Sequence, residues 1–413
     1  MKKMQPHTSS RLAKLTTLGF AVLSLAFTAC NSSGTKEAAT DTAASEPKTE
    51  TDSMETSMLY VGTYADPDSA SIFLFRLNPA SGELTQVNAF KGGENPSFLT
   101  LDAERKHLFA VNETGNYEGQ NSGAVSAFAV DQQTGNLTFL NRVASRGGAP
   151  CHISVAGDNK DVLVANYTGG NVASFRVQDN GQLSAAADVE QHKGAGPNKE
   201  RQEAAHAHYI APDPNNKFIL AVDLGTDQVL GYRLDAATGA LTPNAPAVAF
   251  AAKPGSGPRH LAFHPNGKFA YLIHELNSTM TALRYDADKG TFTEIETVTT
   301  LPAGFKGESY CAEVKASADG KFLYGSNRGD NSIVVYAIDQ NTGKLTTVQH
   351  VKTGGDWPRD FNIDRSGSVL LVANERSNNL VTFKIDKATG KLTATGHQVQ
   401  VHKPVCVQVV PAP

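Results

Sequence analysis

One turn signature recurs seven times along this chain and leaves few folds open to it. It reads NPASGELT from Asn78, DQQTGNLT from Asp131, DNGQLS from Asp179, DAATGALT from Asp235, DADKGTFT from Asp286, DQNTGKLT from Asp339 and DKATGKLT from Asp386. Its glycines, Gly82, Gly135, Gly181, Gly239, Gly290, Gly343 and Gly390, are separated by 53, 46, 58, 51, 53 and 47 residues. Gly supplies the positive φ of a hairpin turn, and the leading Asp or Asn can bond its own backbone at the start of that turn. A self-similar period of this length marks a propeller or a solenoid.

Each turn is preceded by an alternating strand, such as QVLGYRLD from Gln228, SIVVYAID from Ser332 or NLVTFKID from Asn379. A short outer strand follows, as in LTTVQHV from Leu345. Two more strands joined by a polar turn lie upstream, as in HLAFHPNGKFAYLIHE from His260 and DFNIDRSGSVLLVANE from Asp360. Four strands per unit, seven units and no helical periodicity predict an all-β, seven-bladed β-propeller with four-stranded blades. The string MLYVGTY from Met58 reads as a second strand lacking its first, and PVCVQVV from Pro404 reads as an innermost strand lacking its blade. Together they predict one blade closed by the N- and C-terminal strands, which removes the exposed sheet edge.

The first residues are set apart from this fold. Lys2, Lys3, Arg11 and Lys14 precede an apolar run over 18–28 that is too short to span a bilayer stably. The run ends in Phe27-Thr28-Ala29-Cys30, which resembles a bacterial lipobox with Cys30 as the lipidated first residue; a plain secretory signal cleaved nearby is the alternative. Residues 1–29 are therefore expected to be a lipoprotein signal peptide and the protein an exported one, held at the membrane by its N-terminal lipid and facing the periplasm or the cell surface. Residues 30–57 hold almost no large apolar side chain and are expected to form a flexible tether, leaving 58–413 as the propeller domain. Removing residues 1–29 takes away four positive charges and no negative ones, so the net charge moves from −4 to −8. An acidic chain without a basic run argues against nucleic acid as a partner. Beyond Cys30 only Cys151, Cys311 and Cys406 remain, an odd number that describes buried free thiols better than a disulfide framework. The expected partner is a small molecule, and the expected state is a monomer.

Aligning the repeats brings two columns to one mouth of the channel. The start of each innermost strand contributes Ser97-Phe98, Cys151-His152, Ala207-His208, Arg259-His260, Ala312-Glu313, Arg359-Asp360 and Val405-Cys406. The end of each second strand contributes Asn112-Glu113, Asn166-Tyr167, Asp223-Leu224, His274-Glu275, Asn327-Arg328 and Asn374-Glu375. In an up-and-down meander both columns lie at the same end. A wet channel is polar in any propeller, so a polar rim alone carries no chemistry. The mixture is more telling, because three imidazoles, three guanidiniums and several carboxylates converge where a small ligand would fit. Arg259, Arg328 and Arg359 are expected to form an anion-binding arc. His208, His260, Glu275 and Glu313 are candidates for proton transfer. The histidines fall on different blades and no motif such as HExxH is present, so neither a metal nor a cofactor is expected.

The strings AHAHYIAPDPNNKFILAVDLGTDQV from Ala205, GPRHLAFHPNGKFAYLIHELNST from Gly257 and AEVKASADGKFLYGSNRGDNSI from Ala312 resemble the bacterial propeller-type 6-phosphogluconolactonases and their relatives, the fungal carboxy-cis,cis-muconate cyclases. The likeness covers roughly residues 58–411, and its most specific piece is the pair Arg259-His260 followed 16 residues after Arg259 by Glu275. The resemblance implies a catalytic set of His208, Arg259, Glu275 and Arg328, with His208 preferred over His206 in a His-Ala-His that replaces the family's His-Pro-His. His152, His260, Glu313 and Arg359 are expected to bind substrate. The polar insertion from Gly194 to Ala205 could form a lid. The implied activity is hydrolysis of a sugar lactone to the aldonic acid by a water activated at the propeller mouth. The alternatives are a tethered ligand-binding propeller without catalysis and a cyclase-type isomerase. A phosphorylated sugar lactone is a cytoplasmic metabolite, so an export signal directs attention to unphosphorylated lactones.

Overall fold

The computed structural model describes residues 57–411 apart from Asp158. The leader, Cys30 and the tether up to residue 56 lie outside the described residues, and Ser57, expected as the tether's last residue, begins the first strand. The twenty-eight strands form seven sheets of four, each a meander of antiparallel neighbours. Blade 1 joins Pro404–Pro411 to Ser57–Thr63, Ile72–Leu77 and Leu84–Phe90, so the last strand is innermost in the first blade. Blades 2 to 7 follow in chain order. The predicted seven-bladed propeller and its shared closing blade are both present.

The repeated turn does two jobs. In DQQTGNLT the Asp131 carboxylate accepts the backbone N–H groups of Gln133 and Thr134, both at 2.9 Å, while Gly135 N–H donates to Asp131 O and takes φ 73°. The same glycine then stitches blades together. Tyr60 Oη donates to Gly135 O at 2.7 Å, Ser174 Oγ to Gly239 O, Tyr271 Oη to Gly343 O, Tyr324 Oη to Gly390 O, and Thr382 Oγ1 to Gly82 O. Each bond runs from one blade to the turn of the next, and the last passes from blade 7 to blade 1. A repeat needed for the hairpin therefore also sets blade spacing.

Between blades the inner faces bury continuous apolar layers. Phe269, Tyr271 and Ile273 of blade 5 pack on Cys311, Val314 and Leu323 of blade 6. Leu59, Val61 and Phe75 of blade 1 pack on Val369, Leu371 and Leu380 of blade 7. Removing this much apolar surface from water, at about 25 cal/mol per Å², is the main force closing the ring. Cys151, Cys311 and Cys406 are buried free thiols, as expected.

Candidate active site

The mouth is built by an irregularity that repeats. In six blades the pairing of the two inner strands slips at the same place, skipping Cys151, His208, Arg259, Ala312-Glu313, Arg359 and Val405. These are β-bulges, which leave an extra residue unpaired and re-aim its side chain. The bulges correct one point of the sequence alignment. His208 occupies the position of Arg259 and Arg359, one place earlier than it was set, and Tyr209 takes the position of His152 and His260. A local bulge adds one residue and leaves the alternation on either side of it intact, so strand patterning does not reveal it.

The second column rises beside the bulges from the ends of the neighbouring strands. Glu275 follows the strand Phe269–His274 and is 4% exposed. Its Oε2 accepts from Arg328 Nη2 at 2.7 Å, and its Oε1 accepts from Arg201 Nη2 at 2.5 Å. Arg259 Nε lies 3.3 Å from Oε2, within ion-pair range but without hydrogen-bond geometry, and finds no hydrogen-bond partner elsewhere. Burial alone would raise the Glu275 pKa, but Arg328, Arg259 and Arg201 together hold it down to about 2. Such a carboxylate is a poor proton acceptor at neutral pH. It is well suited to holding three guanidiniums in place.

Those guanidiniums are further fixed by main-chain oxygens. Arg259 Nη1 donates to Ala312 O at 2.7 Å, and Arg328 donates to Tyr310 O and Cys311 O. Burial and the nearby charges of Arg328 and Arg359 lower the Arg259 pKa to about 10, which leaves it protonated at neutral pH. Arg201 arrives from the insertion before blade 4 and also donates to Tyr167 Oη at 3.2 Å. The insertion is tied down by Gln202, whose Nε2 donates to Leu224 O and whose Oε1 accepts from Asn198 N. The insertion thus delivers one side chain, Arg201, to the Glu275 carboxylate.

His208 is 4% exposed, and its Nδ1 has no hydrogen-bond partner. Its ring meets Tyr167 and His260 edge-on, with centroids 5.6 and 5.2 Å apart. Burial, followed by Arg259, His260 and Arg359, pushes its pKa well below 6.5. The imidazole is neutral and has acceptor capacity to spare. His206 is engaged otherwise, bonded to Tyr167 O and Glu203 and stacked on Tyr167.

His152, His260 and Glu313 lie deeper in the channel. His152 sits between Phe98 and Tyr209, with centroids 4.4 Å from each, and its Nδ1 accepts from Ile210 N. His260 Nδ1 contacts Glu313 Oε2 at 2.9 Å, its Nε2 lies 3.3 Å from Arg259 Nη1, and Lys315 Nζ stands 3.6 Å from Glu313 Oε1. Burial lowers the His260 pKa to about 4. Burial and the Glu313 charge raise the Asp360 pKa to about 7. These groups support Arg259 from below.

The expected arc of three guanidiniums is divided. Arg259 and Arg328 are bound to Glu275, whereas Arg359 stands apart over the ring of Tyr64, 5.2 Å from its centroid, and 3.7 Å from Glu113 Oε2. Tyr64 Oη donates to Glu113 at 2.9 Å. Sequence alignment assigned no role to Arg201, Tyr64, Tyr167 or Glu113. For Tyr64 the signal was present, because it ends the second strand of blade 1 as Glu275 ends that of blade 5.

The sequence model of a family described as "Lactonase, 7-bladed beta-propeller" matches residues 58–409. A 6-phosphogluconolactonase of Bacillus subtilis is 39% identical over 305 residues, 74% of this chain and 84% of the relative. A 6-phosphogluconolactonase of Formosa agariphila is 34% identical, covering 75% of this chain and 87% of the relative. Among solved structures, the periplasmic gluconolactonase of Pseudomonas aeruginosa aligns with a TM-score of 0.82 at 33% identity, covering 87% of this chain and all of the other.

Proposed function

Because the chain belongs to the seven-bladed β-propeller lactonase family, we propose that its mouth hydrolyses a sugar lactone to the aldonic acid. The observation that supports this most is the neutral His208 beside a cluster of guanidiniums clamped by Glu275. Ester hydrolysis asks for a proton acceptor and for fixed positive charge where the carbonyl oxygen becomes an oxyanion. His208 takes a proton from water as its oxygen bonds to the lactone carbonyl carbon. Arg259, fixed through Nη1 on Ala312 O, receives the developing oxyanion on the remaining N–H groups of its guanidinium. The tetrahedral intermediate collapses by breaking the bond to the ring oxygen, which takes the proton back from His208. Glu275 holds Arg201, Arg259 and Arg328 in register throughout, and needs no change of protonation.

The test is acid release from glucono-1,5-lactone. The protein is expected to accelerate it well above spontaneous hydrolysis, and Arg259→Ala to lower kcat by about 10²–10³-fold, the effect of removing one oxyanion donor. Parent protein that releases acid no faster than buffer overturns the lactonase reading, and an Arg259→Ala loss below tenfold moves the oxyanion elsewhere.

The basic n-region, the short apolar run and Cys30 support an exported, N-terminally lipidated protein, with residues 1–29 as its signal peptide. Labelling of cells with an alkyne fatty acid is expected to mark the parent and not Cys30→Ala; equal labelling of both removes Cys30 as the anchor.

A further inference from the structure

The mouth is electrically two-sided. On the side of blades 4 to 6, three guanidiniums (Arg201, Arg259, Arg328) surround one carboxylate, Glu275. On the side of blades 1, 2 and 7, one guanidinium, Arg359, lies among two carboxylates, Glu113 and Glu375, whose charges both act on it. The first side is therefore positive and the second negative.

The hydrogen-bond inventory differs as well. Arg201 and Arg328 are bonded to Glu275, and Arg259 and Arg328 to main-chain oxygens. Arg359 makes no hydrogen bond among the described residues; its only ion pair is the 3.7 Å approach to Glu113, and its side chain is 15% exposed. Glu113, 18% exposed, receives one bond, from Tyr64, on Oε2, so Oε1 is free. Glu375 is half-buried, and its side chain makes no hydrogen bond among the described residues. A partly exposed donor and a partly exposed acceptor thus stand side by side with bonding capacity to spare, next to the Tyr64 ring.

A phosphate monoester offers only acceptors and close to two negative charges at neutral pH. It would find one guanidinium and two repelling carboxylates there. A row of sugar hydroxyls offers donors and acceptors together without charge. It can donate to Glu113 and Glu375 and accept from Arg359, and bonds to charged partners are the stronger class.

We infer that Tyr64, Glu113, Arg359 and Glu375 form a hydroxyl-binding subsite for the end of an uncharged aldonolactone remote from its carbonyl, and that this subsite discriminates against a terminal phosphate. The inference rests on the lactonase reading, with the carbonyl on the Arg259 side. It reassigns Arg359, which serves neutral hydroxyls and not an anionic group. Like charges placed across a recognition site are a direct means of rejecting a near-identical ligand.

The experiment compares kcat/KM for glucono-1,5-lactone and its 6-phosphate in the parent, in Glu113→Gln and in Glu113→Gln/Glu375→Gln. The parent is expected to favour the neutral lactone at least tenfold. The double variant is expected to narrow that ratio at least fivefold, with activity gained on the 6-phosphate and lost on the neutral lactone. A parent that prefers the 6-phosphate, or a ratio unmoved by both substitutions, overturns the subsite while leaving lactone hydrolysis standing. If the parent hydrolyses neither lactone, calorimetry with gluconate and 6-phosphogluconate decides the charge question by itself: tighter binding of gluconate supports the subsite, and tighter binding of 6-phosphogluconate overturns it.

Discussion

Glu275→Ala is expected to lower stability by about 3–5 kcal/mol, the usual result of deleting one member of a buried ion cluster. The carboxylate is 4% exposed and serves Arg201 and Arg328 through hydrogen bonds and Arg259 through charge. Without it, Arg259 and Arg328 face each other and Arg359 with nothing between them to offset the repulsion. Activity on the lactone should fall together with stability, by roughly 10²–10³-fold, because the displaced Arg259 is the oxyanion donor. Urea unfolding of Glu275→Ala beside Glu275→Gln separates charge from shape. Gln restores volume and hydrogen-bond acceptance but not charge, so it should recover only part of the loss. Parent-like stability for either variant would show that the guanidiniums are held by their main-chain bonds alone.

His208→Ala carries the second large effect, a fall in kcat of about 10²–10⁴-fold with little change in KM. Its pH dependence is the sharper test. Burial and Arg259 depress the His208 pKa well below 6.5, so the base is already deprotonated there, and the parent's kcat/KM should stay flat from pH 8 to below 6.5 before it declines. A decline centred at 6.5 or above would mean that the titrating group is not this imidazole.

The same imidazoles affect folding in a definite direction. His152, His208, His260 and His274 are all buried, with pKa values below 6.5, at about 4 for His260 and about 3 for His274. The folded state therefore binds fewer protons than the unfolded chain below pH 6.5, and stability is lost as the pH falls from there towards the folded values. Asp360 acts in the opposite sense: its folded value is raised to about 7, so its burial is relieved as the pH falls below that. Four groups oppose one, and stability should decline between pH 6.5 and 5.

How much of this was legible in the sequence depends on what each residue had to report. The turn glycines announce themselves, since a positive φ and an Asx hydrogen bond admit few other residues, and their sevenfold spacing carried the fold and its closure. Glu275 and Arg259 were legible from their place in the repeat and from the resemblance. The register of His208 was not, because a bulge inserts a residue without changing the hydrophobic pattern around it. Arg201 was hidden for a different reason. It lies in an insertion outside the repeat, and its 2.5 Å bond to Glu275 spans 74 residues of sequence. The electrical asymmetry of the mouth was equally silent. Arg259 and Arg359 are equivalent by repeat, and only their partners, Glu275 for one and Glu113 and Glu375 for the other, set them apart.

The closing blade has a consequence for the order in which the protein is made. Its innermost strand, Pro404–Pro411, is made after every other strand among the described residues, and Val407 N–H supplies a 2.6 Å bond to the channel carboxylate of Asp360 while Cys406 Sγ accepts from Leu99 N. Synthesis at roughly 5–20 residues per second leaves the Ser57–Thr63 strand waiting on the order of tens of seconds for its partner. During this interval the channel lacks one wall and the Ser57–Thr63 strand offers an unpaired edge. A chain without Pro404–Pro411 would thus keep His208, Arg259, Glu275 and Arg328 but not a finished ring, making this strand a checkpoint on assembly.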